Sequence, residues 1–438
     1  MEKTLRTFKK GGIHPPERKE YTENLPIEEM PLPSEVDILL LQHFGATCKA
    51  LVKKKDEVQE GDIIGDVEKG LGACVHASVT GTVKAIGESV HPLMVSVPSI
   101  TIERDPEAEE KQYKSVDWHG LSKEELLNRI KRAGIVGMGG AGFPTHVKLS
   151  PPEGKVDTLI INGAECEPYL TVDHRLMVEH PKEIVEGIKI ILTILGIKKG
   201  YVGIEANKPD AIEEMSRAVK ENSKGFDISV VPLKVKYPQG SEKQLIEAVT
   251  GRKVPAFGLP FDVGVIVQNI GTTKAIYESV VFNKPVVDKV VTFSGKGIVR
   301  PANLKVRIGT RVKDIVDYLG GTTPELRKVV VGGPMMGFAV STLDFPITKT
   351  TSGVLFLTEE EIDLYEYKPC IRCGFCLEAC PMGLQPNEIG IYVEAGKLEE
   401  TTQFGVFECF ECGCCAYVCP SKRPLVQFIR IAKMKAKR

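Results

Sequence analysis

Eight of the twelve cysteines in this 438-residue chain fall into two copies of one run, C-x2-C-x2-C-x3-C-P: Cys370, Cys373, Cys376 and Cys380-Pro381, then Cys409, Cys412, Cys415 and Cys419-Pro420. That run wraps pairs of [4Fe-4S] cubanes. Three thiolates at two-residue intervals on a tight loop face three iron corners of one cube, while the fourth, beginning a helix, points away to the other cube. Crossing of this kind groups Cys370, Cys373, Cys376 and Cys419 around one cluster, and Cys409, Cys412, Cys415 and Cys380 around the second. Gly374 and Gly413 give both ligand loops backbone freedom, so that amide N–H groups can reach cluster sulfurs. A zinc site needs only four ligands, usually paired C-x2-C or mixed Cys/His sets, and no histidine lies in this segment. Cys414 reads as a packed neighbour of Cys415 rather than a ligand. A chain carrying two cubanes moves electrons one at a time.

A second constellation lies upstream. Between Gly134 and Lys148 runs G-I-V-G-M-G-G-A-G-F-P-T-H-V-K. Gly137, Gly139, Gly140 and Gly142 make a loop whose amides can approach a phosphate closely, and Lys148 adds a positive charge. Alone, such a loop also reads as an ordinary turn or a Rossmann pyrophosphate loop, and a helix rather than a strand precedes it. Three further polar clusters each follow an apolar strand: Asn162-Gly-Ala-Glu165-Cys-Glu167-Pro168, Tyr237-Pro-Gln-Gly240-Ser-Glu242 and Gln268-Asn269-Ile-Gly-Thr272. Strand-end loops are where α/β sheets bind ligands. Thr272 also reads as a helix N-cap.

The elements that must position these groups can be read from periodicity. Residues Val36 to about Glu103 are short apolar runs broken by turns, an all-β unit. Leu121 to Ala133 is a helix in which Ser122 caps and Glu125 completes a capping box. Thr158 to Asn162, Gly200 to Glu205 and Ile228 to Val235 are strands, separated by helices at Lys182 to Leu195 and Ala211 to Lys220. This α/β order predicts a largely parallel sheet. A second β-rich unit begins at Lys289. A formal net charge of −1 and 26% charged residues give no overall pull toward nucleic acid. No stretch approaches the ~20 apolar residues that span a bilayer. Met1-Glu-Lys-Thr shows no cleavable signal, and thiolate ligands suit a reducing compartment.

Taken in order, the glycine loop and the three strand-end clusters resemble the flavin and nicotinamide site of the flavoprotein subunit of respiratory complex I, with its G-R-G-G-A-G-F-P-T-G-x-K, N-A-D-E-x-E-P, Y-x-C-G-E-E and N-N-V-x-T. With the N-terminal arm, the segment Gln42-His43-Phe44-Gly45 and the cysteine tail added, the whole chain resembles the C subunits of Rnf complexes, ion-translocating ferredoxin:NAD oxidoreductases. The resemblance implies that Gly137, Gly139, Gly140 and Lys148 contact FMN phosphate and ribityl, with Asn162, Tyr237, Gly240, Gln268, Asn269 and Thr272 lining the rest. It implies that Phe143 lies against NADH and that Glu165, Glu167 and Glu242 shape the nucleotide pocket and carry its catalysis. Met138 stands where complex I has arginine, Ser241 replaces the first glutamate of G-E-E, and Asn162-Gly-Ala-Glu165 replaces N-A-D-E.

The expected fold is a multidomain α/β chain: an extended arm (1–33), a barrel-sandwich domain (34–108), a Rossmann-like FMN/NAD(H)-binding domain (115–285), an SLBB-like β-grasp unit (286–355) and an α-helical two-[4Fe-4S] ferredoxin domain (356–438). The barrel-sandwich unit lacks a carrier lysine at its hairpin tip and reads as a packing domain. The expected cofactors are two [4Fe-4S] clusters and non-covalent FMN, with NAD(H) as substrate. Expected partners are the membrane-embedded and iron–sulfur subunits of a complex, with no nucleic acid and no transmembrane segment in this chain. The expected location is the cytoplasmic face of the membrane. A soluble cobalamin-reductase-type enzyme and a non-catalytic electron-relay scaffold remain open beside this reading. The basic tail from Pro424 (Arg430, Lys433, Lys435, Lys437, Arg438) reads as a frayed, solvated helix, or as one that touches an anionic membrane surface or an acidic partner.

Overall fold

The computed structural model describes residues 5–436. Met1 to Thr4, and Lys437 and Arg438 of the basic tail, lie outside the described residues. At the centre is a four-stranded, wholly parallel sheet in the order Asp227–Leu233, Lys199–Glu205, Thr158–Gly163, Val265–Asn269. Strands Lys199–Glu205, Thr158–Gly163 and Val265–Asn269 are largely buried on both faces, as their apolar runs require, while the edge strand Asp227–Leu233 alternates between buried and exposed. Helix Pro181–Leu195 covers one face, burying Ile184, Ile188, Ile191 and Leu192, while Glu242–Thr250 covers the other with Leu245 and Val249. Helix Lys123–Arg132 begins with the expected capping box: Ser122 accepts from the Glu125 N–H, and the Glu125 carboxylate accepts from the Ser122 N–H.

Ahead of this unit, the strands Glu35–Leu39, Ser96–Arg104, Gly81–Val90 and Glu57–Val58 form one antiparallel sheet, and Lys49–Ala50, Ile63–Asp66 and Val75–His76 a second. Behind it is a six-stranded mixed sheet in the order Ile27–Glu29, Ala302–Arg307, Asp288–Ser294, Gly353–Thr358, Leu326–Val331, Phe338–Val340. Its first strand comes from the N-terminal arm and pairs in parallel with Ala302–Arg307. The arm therefore belongs to two units: Arg6 bridges to Leu233 at the edge of the parallel sheet, and Ile13 to Tyr237.

Short helices Phe375–Ala379 and Cys414–Tyr417 carry the third cysteine of each run, the fourth cysteines Cys380 and Cys419 follow these helices rather than begin one, and Leu425–Lys435 is the last described helix. This last helix is packed, which corrects the expectation of a frayed, solvated end. Leu425, Phe428, Ile429 and Ala432 are buried, Arg430 and Lys433 both pair with Glu411, and Lys433 also donates to the Cys409 carbonyl. The apolar stripe found a core, and two of the tail's cations found a carboxylate.

Candidate functional site

The two cysteine loops have the same backbone. Counting from the first cysteine, the third residue (Arg372, Glu411) and the fifth (Gly374, Gly413) all have positive φ, at 55°, 64°, 83° and 81°. That conformation turns amides inward: Arg372 N–H donates to Cys370 Sγ at 3.4 Å and Glu411 N–H to Cys409 Sγ at 3.3 Å. Leu384 N–H donates in the same way to Cys380 Sγ. Cys370, Cys373, Cys376 and Cys419 line one small cavity together, and Cys415 has Cys409, Cys412 and Cys380 as electrostatic neighbours, followed by Cys376 of the first group. Among the described residues no three His, Cys, Asp or Glu side chains close around a single ion. Thiol donors with inward amides suit iron–sulfur cubes. Cys414 is fully buried against Ile13, Tyr237 and Ala379.

The glycine loop and the three polar clusters meet at the carboxyl edge of the parallel sheet. Asn162 and Asn269 are register partners at the ends of neighbouring strands. Asn269, not Thr272, caps helix Ile270–Phe282: its Oδ1 accepts from the Thr272 N–H. Thr272 sits one turn in, and its hydroxyl accepts the Met138 N–H at 2.9 Å, tying the glycine loop to the helix start. The loop closes on itself, Gly137 N–H to Phe143 O and Gly142 N–H to Gly137 O, and leaves Gly139 and Gly140 exposed at its crest. A Cβ on Gly139 would lie 2.8 Å from Asn269 Nδ2, and Gly140 has φ +152°. The cradle demands glycine at both positions.

From beneath, Lys289 Nζ donates to the Met138 carbonyl, and burial drops its pKa to about 8. Asp173, which accepts from Asn269 Nδ2 at 2.7 Å, is pushed up to about 7 by burial and the nearby Glu165 carboxylate. Lys289 and Asp173 line a cavity of about 460 Å³ between the α/β unit and the six-stranded sheet.

The remaining predicted residues divide by depth. Lys148 and Glu242 face each other at 2.7 Å, with side chains 27% and 40% exposed at the rim. Asn162 Nδ2 donates to Gly240 O, and Gly240 N–H to Cys166 Sγ. Tyr237, Gln268 and Thr272 are buried beneath, and Gln268 Nε2 has no partner, an unspent donor at the strand end. Glu165 accepts from the Asp173 and His174 N–H groups at the start of helix Val172–Glu179. Glu167 accepts from the Met335 and Met336 N–H groups, and burial raises its pKa to about 7. Both carboxylates thus brace loops. An open glycine cradle, a rim lysine and an unspent buried amide fit a phosphorylated, flat cofactor such as FMN.

Tyr237 joins the two sites. Its hydroxyl donates to the Cys412 carbonyl at 2.8 Å and lies 3.3 Å from Glu167 Oε1. Sequence reasoning missed Lys19, whose buried Nζ donates to the carbonyls of Glu165, Glu167 and Leu170, and Lys208, which holds Ala164 O. Nothing in their local sequence separates them from solvated lysines.

Four family models match the chain: the RnfC barrel sandwich hybrid domain over residues 7–107, the Nuo51 FMN-binding domain over 130–278, the SLBB domain over 290–339 and the 4Fe-4S dicluster domain over 366–423. The C subunit of the proton-translocating ferredoxin:NAD(+) oxidoreductase complex of Clostridium ljungdahlii is 47% identical over 98% of this chain and 94% of its own. The Na(+)-translocating counterpart from Acetobacterium woodii is 42% identical over 98% and 96%. The C subunit of the ion-translocating oxidoreductase complex of Rhodobacter capsulatus is 44% identical over 97% and 82%. Among solved structures, a chain of the NAD+-reducing [NiFe]-hydrogenase in its air-oxidized state shares the fold, with TM-score 0.52 and 19% identity over 72% of this chain and 64% of that one.

Proposed function

This chain belongs to the C-subunit family of Rnf-type ferredoxin:NAD(+) oxidoreductase complexes, and from that premise we propose that it joins NAD(H) to the complex's one-electron carriers. When bound, FMN exchanges a hydride's electron pair with NAD(H) and single electrons with iron–sulfur cubes. Gly137, Gly139, Gly140 and Lys148 hold the flavin's phosphate and ribityl. Asn162, Gly240 and Asn269 line the rest, over Tyr237, Gln268 and Thr272. Phe143 and Glu242 face the nucleotide, and Glu165 and Glu167 shape its pocket through the loops they hold. Cys409, Cys412, Cys415 and Cys380 hold the cluster near the flavin, and Cys370, Cys373, Cys376 and Cys419 the far one.

The observation that carries this reading is the Tyr237 bridge: one buried side chain touches both the strand-end cluster, through Glu167, and a cysteine loop, through Cys412 O. The far loop supports an exit to a partner subunit, since Cys373, Ile371 and Phe375 are exposed there. Among the described residues no helix is long and apolar enough to cross a membrane. We assign ion movement to other subunits and attachment to the cytoplasmic face of the membrane through them.

The test is reconstitution of the purified chain with FMN, iron and sulfide. NADH should bleach the flavin and then produce the EPR signals of two reduced cubanes. Cys373→Ser should delete one signal and leave NADH reduction of the flavin intact. Failure to retain FMN, or a retained flavin that NADH does not reduce, refutes the reading.

A further inference from the structure

The loop Gln42 to Gly45 of the barrel-sandwich unit is held from every side. Gln42 is buried, donating to Leu39 O and accepting from the Lys349 N–H. The His43 ring bonds the Ala46 carbonyl, and Ala46 N–H donates to Leu71 O. Gly45, at φ +129°, is so close to Leu71 that a Cβ would stand 2.1 Å from its carbonyl oxygen. Between these fixed residues Phe44 projects with 60% of its surface exposed. Its own N–H donates to the Gly142 carbonyl at 2.9 Å, docking the loop on the glycine cradle. Its ring lies beside that of half-buried Phe143, centroids 6.1 Å apart and planes at 28°.

Single exposed aromatics are common and ordinarily need no explanation. This one differs because its backbone is immobilised, its ring is paired with a residue of the cradle, and the exposed crest Gly139 to Ala141 adjoins the pair. Carbon surfaces touch at ~3.5 Å, so a flat ring between two others needs about 7 Å. At 6.1 Å between centroids the two rings leave no room for a third between them, so a flat ring stacks on the exposed outer face of the pair.

We propose that Phe44 and Phe143 form a two-ring aromatic wall on which a planar ring of the nicotinamide dinucleotide stacks, making the barrel-sandwich unit part of the nucleotide site. This rests on the assignment of the nucleotide to the face of Phe143. An aromatic wall placed by a rigid loop binds without ordering cost, and it contributes to ground state and transition state alike.

The experiment measures NADH affinity and steady-state dye reduction on the full chain carrying FMN and clusters. Phe44→Ala and Phe44→Leu should raise the KM and Kd for NADH about 5- to 100-fold, the range of base–aromatic stacking, with kcat unchanged. Phe44→Tyr and Phe44→Trp should restore affinity to near wild type, which a merely space-filling role would not require. FMN content and reduction by dithionite serve as controls for the cradle. NADH affinity of Phe44→Ala and Phe44→Leu within twofold of wild type, while Phe143→Ala is weakened, overturns the proposal and leaves the nucleotide assignment standing. A wild-type chain that retains FMN but is not reduced by NADH overturns both.

Discussion

Lys19 and Lys208 are buried charges that clamp loops. Lys19 is a clear case: its amine satisfies three carbonyls of the 165–170 loop, and burial lowers its pKa. Lys19→Met keeps the bulk but strands those carbonyls. We expect a loss of about 2–4 kcal/mol, the cost of unpaired buried polar groups, measured as a drop in the denaturation midpoint. His76 gives a pH signature. Its Nε2–H donates to the Arg132 carbonyl, and burial, then the charge of Lys349, hold its pKa near 3, from 6.5 when unfolded. Below 6.5 the unfolded chain binds a proton that the native chain refuses. Stability therefore falls as pH drops from 6.5 toward 3, by up to about 1.4 kcal/mol per unit from this group. His76→Gln should flatten the fall in Tm between pH 6 and about 4.5. An unchanged slope would assign the acid sensitivity to other groups.

Helix starts and turns bring the cradle to the strand ends, and here tolerance is narrow. Asn269 is fixed twice, by Asp173 and by the Thr272 N–H it caps, so it cannot yield to a side chain on Gly139. Gly139→Ala should lower FMN affinity at least tenfold while leaving secondary structure and the cluster EPR signals intact; wild-type flavin content in that variant would show that the loop can shift. Much at this level is legible in sequence. The Ser122–Glu125 box, the strand Thr158–Gly163 and the positive-φ glycines of the cysteine loops follow from neighbours one to four residues apart. Sequence points to Thr272 for the cap that Asn269 makes, because both residue types cap and the choice depends on where strand Val265–Asn269 gives way to the helix.

Across the whole molecule, the arm is the staple. Gly12 N–H donates to Ala379 O beside Cys380, while Ile13 pairs in both directions with Tyr237, so one short segment grips the cysteine unit and the flavin unit together. Gly11 has φ +66°, and a Cβ there would stand 2.6 Å from the Cys380 carbonyl carbon. Gly11→Val should loosen that grip. NADH should still reduce the flavin, but electron arrival at the clusters, followed by stopped-flow absorbance, should slow at least tenfold. Unchanged cluster reduction would mean the units dock without the arm.

Two kinds of information meet in this chain. Ligand chemistry is written locally: cysteines at intervals of two and three, glycines around an anion, a polar residue at the end of an apolar strand. Such patterns survive reading in one dimension because the atoms that act together lie within a turn or a loop of each other. Which cysteine set approaches the strand-end cluster, why Glu167 bonds the Met335 and Met336 amides, and how Phe44 reaches Phe143 involve partners separated by about a hundred residues or more. Those contacts exist only once apolar burial has fixed the units against one another, since a lone lysine or phenylalanine carries no mark of the surface it will meet.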